Sequence, residues 1–224
     1  MDLRSLNPAR LLYLKIRNVV MARGGMQPWR TYWYSRSNAK YRDTEAKLWA
    51  PNLAQGFHEV LVQYWDRHGL GERCLLVSEN GPTRDVLKKR HPGVAFTTSD
   101  LFPELAGVNH EDGPDFRWDV CFPPPAGMTD GFDSIVCHAL LEHVMAPASA
   151  MAHMVRLLAK GGRLYAMTHT PSFFRHRYPR DYCRFHHDWF EDLPAYLQQA
   201  TGRSVHLEEM YSREGVVCVT YRAD

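Results

Sequence analysis

The sequence predicts an α/β domain with a doubly wound sheet, one antiparallel strand near its end and an N-terminal helical extension. Three observations predict it. Short apolar runs alternate with helical stretches from Cys74 onward, the pattern of a parallel sheet with crossover helices. An apolar strand at Ile135–Cys137 is followed by a polar tip and then a helix from Pro147. Lys160-Gly161-Gly162 then reads as a turn into a strand at Leu164–Met167, completing one βαβ unit. The chain closes on two runs, Val205–Met210 and Gly215–Tyr221, which read as a terminal strand pair.

The elements follow in order. Residues 8–23 set Leu11, Leu12, Leu14, Ile16, Val19 and Val20 among basic residues, and Gly24-Gly25 ends the pattern. This is a basic amphipathic helix. It is expected to pack on the domain or on a second copy of the chain, as a homodimer; reversible contact with a membrane surface is the alternative. Residues 28–49 are aromatic and basic, with Trp29, Trp33, Tyr34 and Trp49 among arginines and lysines. Amphipathic rings of this kind serve recognition or act as a cover. Residues 1–50 therefore form an extension, a cap or lid, and residues 51–224 the catalytic-type domain. A helix over 53–67 carries Leu53, Phe57, Val60, Leu61 and Tyr64 on one face. Cys74–Val77 is the first core strand, Ser78–Pro82 its turn and Thr83–Arg90 a helix. Val94–Thr97 is the second strand, ending at Ser99-Asp100. A polar, Gly- and Pro-rich connection spans 103–117 and leads to Trp118–Cys121. Beyond the βαβ unit, Asp188–Ala200 is helical.

A chain of 224 residues with 45% hydrophobic and 23% charged residues is ordinary globular material for one elaborated α/β domain. The formal net charge of +2 is too small to point to nucleic acid. Five cysteines lie apart with no C-x-x-C spacing, so they read as reduced, largely buried thiols. No stretch approaches the ~20 apolar residues of a membrane span, and no signal pattern opens the chain, so no membrane insertion and a cytoplasmic location are expected.

The βαβ unit carries a resemblance. Phe132-Asp133-Ser-Ile-Val-Cys, Leu141-Glu142-His143-Val and Leu157-Leu158-Ala-Lys-Gly161-Gly162-Arg-Leu resemble the second half of class I S-adenosyl-L-methionine (SAM) dependent methyltransferases. Pro179-Arg-Asp181-Tyr182-Cys-Arg184-Phe185 is similar to a P-x-D-Y-x-R-F segment after strand five in bacterial members. The resemblance implies a Rossmann-like seven-stranded sheet with an antiparallel terminal strand, and SAM as cofactor. It places the ribose carboxylate at Asp100, with Leu101 beside it, the adenine contact at Asp119 and Val120, and the methionine end near Cys137 and His138. The family's turn after strand one is an acidic residue followed by G-x-G-x-G. Here Ser78-Glu79-Asn80-Gly81-Pro82 stands there, so Glu79, Asn80 and Gly81 are the cofactor-turn candidates. Gly81 still lets backbone approach a ligand, and Asn tolerates unusual backbone.

Methyl transfer to a hydroxyl is an in-line displacement, so holding the acceptor and removing its proton are the tasks left to side chains. His143, following strand four, is the expected base, since a neutral imidazole takes protons near neutral pH. The alternative is a structural histidine below the sheet tip. His169, Tyr178, Arg180, Asp181, Tyr182 and Arg184, with Trp33 and Tyr34 from the extension, are the expected acceptor contacts. Residues 28–42 and 169–187 are expected to meet as a lid. Asp181 and Arg184 pairing with each other is the alternative. Glu142-His143 resembles the E-x-x-E-H metal run of quinone-ring O-methyltransferases, but Ala139 takes the first acidic position and no zinc spacing occurs, so no metal is expected. Two functions compete. One is O-methylation of a small-molecule or glycan hydroxyl, in natural-product or polysaccharide biosynthesis. The other is an inactive methyltransferase-like binding or assembly subunit, suggested by the altered turn. A third reading, a nicotinamide-dependent Rossmann enzyme, fails on the missing G-x-G-x-x-G.

Overall fold

The structure, a computed structural model, describes residues 57–102, 113–128, 131–173, 180–213 and 215–224. The extension over 1–50 and the first residues of the helix expected over 53–67 lie outside them. Four helices are described: α1 (Glu59–His68), α2 (Gly81–Arg90), α3 (Pro147–Leu157) and α4 (His187–Thr201). Seven strands are described: β1 (Arg73–Val77), β2 (Ala95–Asp100), β3 (Phe116–Arg117), β4 (Phe132–His138), β5 (Leu158–His169), β6 (Val205–Arg213) and β7 (Val216–Ala223). They form one sheet in the order β3-β2-β1-β4-β5-β7-β6. The first five run parallel, and β7 enters antiparallel between β5 and β6. The chain moves outward from β1 to β3 and returns to β4 on the other side of β1. Ligands of open α/β sheets bind at such a switch point, beyond the carboxyl ends of the strands.

Strand alternation divides the core. Leu75, Val77, Ile135, Cys137, Leu164 and Ala166 bury against α3 and α4 on one face. Cys74, Leu76, Val136, Tyr165 and Met167 bury against α1 and Leu87 of α2 on the other. Because both faces of the sheet are covered, its central strands read as unbroken apolar runs. Gly71 stands where the start of β1 meets β4. Its φ is +69°, and a Cβ there would lie 2.2 Å from Cβ of Asp133. The close approach lets Asp133 Oδ2 accept from the backbone N–H groups of Glu72 (2.8 Å) and Arg73 (2.9 Å).

One connection differs from the sequence reading. Lys160-Gly161-Gly162 is not a turn: β5 starts at Leu158, directly after α3, and runs through Gly161 at φ +78°. The C-terminal end of α3 is instead satisfied by Arg203, whose guanidinium donates to the carbonyls of Val155 (2.8 Å), Leu158 (2.6 Å) and Ala159 (2.9 Å). A cation meeting the last carbonyls of a helix replaces the usual glycine stop. Pro194 sits inside α4 and cannot donate to the carbonyl four residues earlier. That carbonyl, of Phe190, accepts from the buried Tyr221 hydroxyl at 2.7 Å. The helix survives its proline because β7 supplies the missing donor.

Candidate active site

The tips of β1 to β5 open on one edge, and the turn after β1 is tied there to β2. Ser78 takes φ +64°, a conformation that favours glycine. Its N–H donates to the Ser99 carbonyl at 2.6 Å, and the Glu79 N–H reaches the same carbonyl at 3.2 Å. Asn80 caps α2, its Oδ1 accepting from Thr83 N at 3.3 Å, as a helix N-cap does. The turn thus keeps a left-handed step and a capped helix start without the full glycine set.

Glu79 is 4% exposed, and its Oε2 has no hydrogen-bond partner among the described residues. Burial pushes its carboxyl up to about 8; a hydrogen bond with Thr83 works against this and the charge of Asp100 adds to it. Asp100 is half-buried at the β2 tip, and its Oδ1 accepts from Phe102 N at 3.3 Å. Leu101 beside it is also half-buried. At the β3 tip Asp119 folds back, Oδ1 accepting from Cys121 N at 3.0 Å, and Val120 is buried, its carbonyl meeting His153 Nδ1 at 3.0 Å. The structure therefore sets three carboxyl groups, Glu79, Asp100 and Asp119, after three adjacent strand tips.

The β4 tip turns inward. Cys137 is fully buried in the core facing α3 and α4, and burial raises its thiol. His138 points to the other layer: its Nε2 accepts from the His58 backbone N–H at 3.3 Å, and its ring lies 4.9 Å from that of Phe57. Both side chains pack within the protein, where strand alternation sends neighbouring residues to opposite layers. Burial lowers His58 to about 4, and burial with the His58 charge lowers His138 to about 3. Both are neutral in the folded state, whereas the unfolded chain takes up these protons near pH 6.5. Stability from this pair is present above about pH 6.5 and falls as pH drops toward the folded values. His138→Gln keeps an acceptor for the His58 N–H and removes one titration. Urea unfolding between about pH 6 and 4.5 should then lose ~1.4 kcal/mol per pH unit of slope; an unchanged slope would refute this origin of the acid sensitivity.

A second buried cluster joins the β4 and β5 tips. The 3-10 turn Leu141–His143 places Glu142 at 0% exposure. Thr168 Oγ1 donates to Glu142 Oε2 at 2.6 Å. Glu142 Oε1 lies 3.2 Å from His169 Nε2, a contact without good hydrogen-bond alignment, and 3.7 Å from His143 Nε2. His143 Nδ1 donates to the Arg180 carbonyl and His169 Nδ1 to that of Gly215 (3.2 Å). His169 also stacks on Phe173, ring centroids 3.6 Å apart. The Glu142 carbonyl accepts from the N–H groups of Tyr182 (2.8 Å) and Cys183 (3.1 Å), so residues 180–186 are strapped across these tips. Burial raises the Glu142 carboxyl, which His143, Thr168 and Arg184 partly offset.

Within the strap, Asp181 and Arg184 form an ion pair through Nη1 and Oδ1. They face each other rather than open space, because Arg matches a carboxylate's two oxygens in one plane. His169 is likewise taken up by internal partners. Arg180 and Tyr182 are exposed, and Phe185 is buried. Trp33, Tyr34, Tyr178 and the 28–42 half of the expected lid lie outside the described residues. Among the described residues no three His, Cys, Asp or Glu side chains are placed to hold a metal, and no helix is long and apolar enough to cross a membrane. The sequence reading gave Glu142 no role beyond its resemblance to a metal run. The signal was present in Glu142-His143 after one parallel strand and Thr168-His169 at the end of the next, because neighbouring parallel tips meet.

Residues 35–212 match the family described as "Methyltransferase domain". This chain belongs to the methyltransferase-domain family. A ubiquinone biosynthesis O-methyltransferase of Xanthomonas oryzae pv. oryzae is 34% identical over 90 residues, which span 37% of this chain and 38% of that protein. A solved structure from work on converting a disulfide into a thioacetal in echinomycin biosynthesis shares 13% identity. It covers 74% of this chain and 82% of its own, with a TM-score of 0.51. A Rhodobacter sphaeroides structure described as "Putative Zn-dependent Alcohol Dehydrogenases" shares 12% identity at a TM-score of 0.50, covering 73% of this chain and 89% of its own. These two likenesses show the fold alone. The site residues of this seven-stranded domain rest on its own geometry.

Proposed function

We propose that this methyltransferase uses SAM to methylate a hydroxyl on a small molecule or glycan. The observation that carries the cofactor is the row of carboxyl groups at the β1, β2 and β3 tips, beside a switch point where such sheets bind ligand. The residues fit the group. Asp100 can take two ribose hydroxyls, Asp119 and the Val120 backbone suit adenine, and the unpartnered Oε2 of Glu79 wants a donor. Gly81 lets the backbone come close at the start of α2. Bound there, SAM supplies a methyl group on a positively charged sulfur. The partial match to an O-methyltransferase supports oxygen as the acceptor atom.

The chain's own part is to hold the acceptor and take its proton. His143 is the proposed base. Its Nδ1–H is committed to the Arg180 carbonyl, which fixes the tautomer and leaves the Nε2 lone pair for a proton. Exposed Arg180 and Tyr182 are the proposed acceptor contacts in the strap.

Calorimetric titration with SAM and its demethylated product tests the reading. Asp100→Ala should weaken binding by ~1–3 kcal/mol through lost charge-assisted bonds; unchanged affinity would remove Asp100 from the site. Failure of the wild-type protein to bind either compound at millimolar concentration would favour the second reading, a binding or assembly subunit. The Ser78–Pro82 turn, with one glycine, is the observation that motivates that second reading.

A further inference from the structure

We propose that Glu79 makes cofactor binding proton-coupled: its carboxyl is protonated in the free protein, and the proton leaves when a cationic ligand end becomes the partner of Oε2. The inference rests on the proposed use of SAM and concerns how this chain's altered turn recognises it.

Geometry carries it. Glu79 is 4% exposed at the β1 tip, and its Oε2 has no partner among the described residues. Native proteins rarely leave a buried polar oxygen unpaired, so the atom marks a place for a donor. Among the described residues Glu79 makes no ion pair, so nothing there compensates a buried charge. The groups facing it are Thr83 from α2, Asp100 from the β2 tip and the buried thiol of Cys137 from β4. Two of these can only add negative charge, and Thr83 is neutral. Burial and Asp100 accordingly push the Glu79 carboxyl up to about 8. A cation supplies what this surrounding lacks: it pairs with the carboxylate, and the proton goes to solvent. Ring-bearing ligands without a cation offer no such partner and leave the proton in place.

The proton balance is the test, read by titration calorimetry in buffers of different ionisation enthalpy between about pH 6 and 7.5. Binding of SAM to the wild-type protein should release close to one proton, and affinity should rise up to about tenfold per pH unit. 5′-Methylthioadenosine, which lacks the charged sulfur and the amino-acid end, should bind with no release. Glu79→Gln should bind SAM with no release and a flat pH profile. SAM binding by the wild-type protein without proton release, or with a release that persists in Glu79→Gln, overturns the inference and leaves SAM use standing. No SAM binding at all by the wild-type protein overturns both. Binding by Glu79→Gly that is tighter than wild type and equally proton-coupled would also overturn it, showing that the side chain only fills space.

Discussion

His143→Ala is expected to lower turnover by roughly two to four orders of magnitude while leaving SAM affinity nearly intact. The ring is held by its Nδ1–H on the Arg180 carbonyl, and Nε2 stands 3.7 Å from Glu142 Oε1, beyond hydrogen-bond reach. With Nδ1–H on that carbonyl, Nε2 is the basic nitrogen of the neutral ring. His143→Gln can restore a hydrogen bond to Arg180 but cannot accept a proton, so it should stay as slow as the alanine variant. Turnover is measured with matched SAM affinity and melting temperature. Near-wild-type turnover in the Gln variant would make His143 a strut of the 180–186 strap, and it remains decisive if the Ala variant does not fold.

Glu142→Ala is expected to destabilise the fold by ~3–5 kcal/mol in urea unfolding, because it empties a buried site and strands the Thr168 hydroxyl and the His169 imidazole. The proton count sharpens this. With its Nδ1–H on the Gly215 carbonyl, a neutral His169 turns its Nε2 lone pair to Glu142 Oε1 at 3.2 Å. A charged carboxylate there would meet that lone pair instead of a donor. Burial raises the Glu142 carboxyl, consistent with the acid form carrying the proton. Glu142→Gln imitates that form, with an amide N–H toward His169 and an oxygen for Thr168, and should cost only about 1 kcal/mol. Because the folded value is raised, stability from this group is full below about pH 4.5, the ordinary carboxyl value. It is lost as pH rises through the folded value. The Gln variant should therefore gain on the wild type as pH rises. Equal losses in Gln and Ala would show that the carboxyl is ionised.

The sequence by itself determined the class of this protein. Apolar runs such as Cys74–Val77 and Ile135–Cys137 are short and bounded by turns, which suits strands covered on both faces, and their alternation with helices points to a parallel sheet. Asp100 and Asp119 were legible because each directly follows such a strand, and a strand's end is a local property. What lay at the sheet tips across distant segments was decided by tertiary structure. Glu142 matters because β4 and β5 are neighbours, which brings Thr168 and His169 to it from 26 and 27 residues away. Arg203 closes α3, and Tyr221 completes α4 at Pro194, by the same kind of long-range donation. Asp181 and Arg184, three residues apart, could have faced a substrate or each other, and only the folded strap turned them inward. Periodicity records which face a residue occupies. Hydrogen-bond partners across the sheet leave no period in the chain, because they depend on which tips end up side by side.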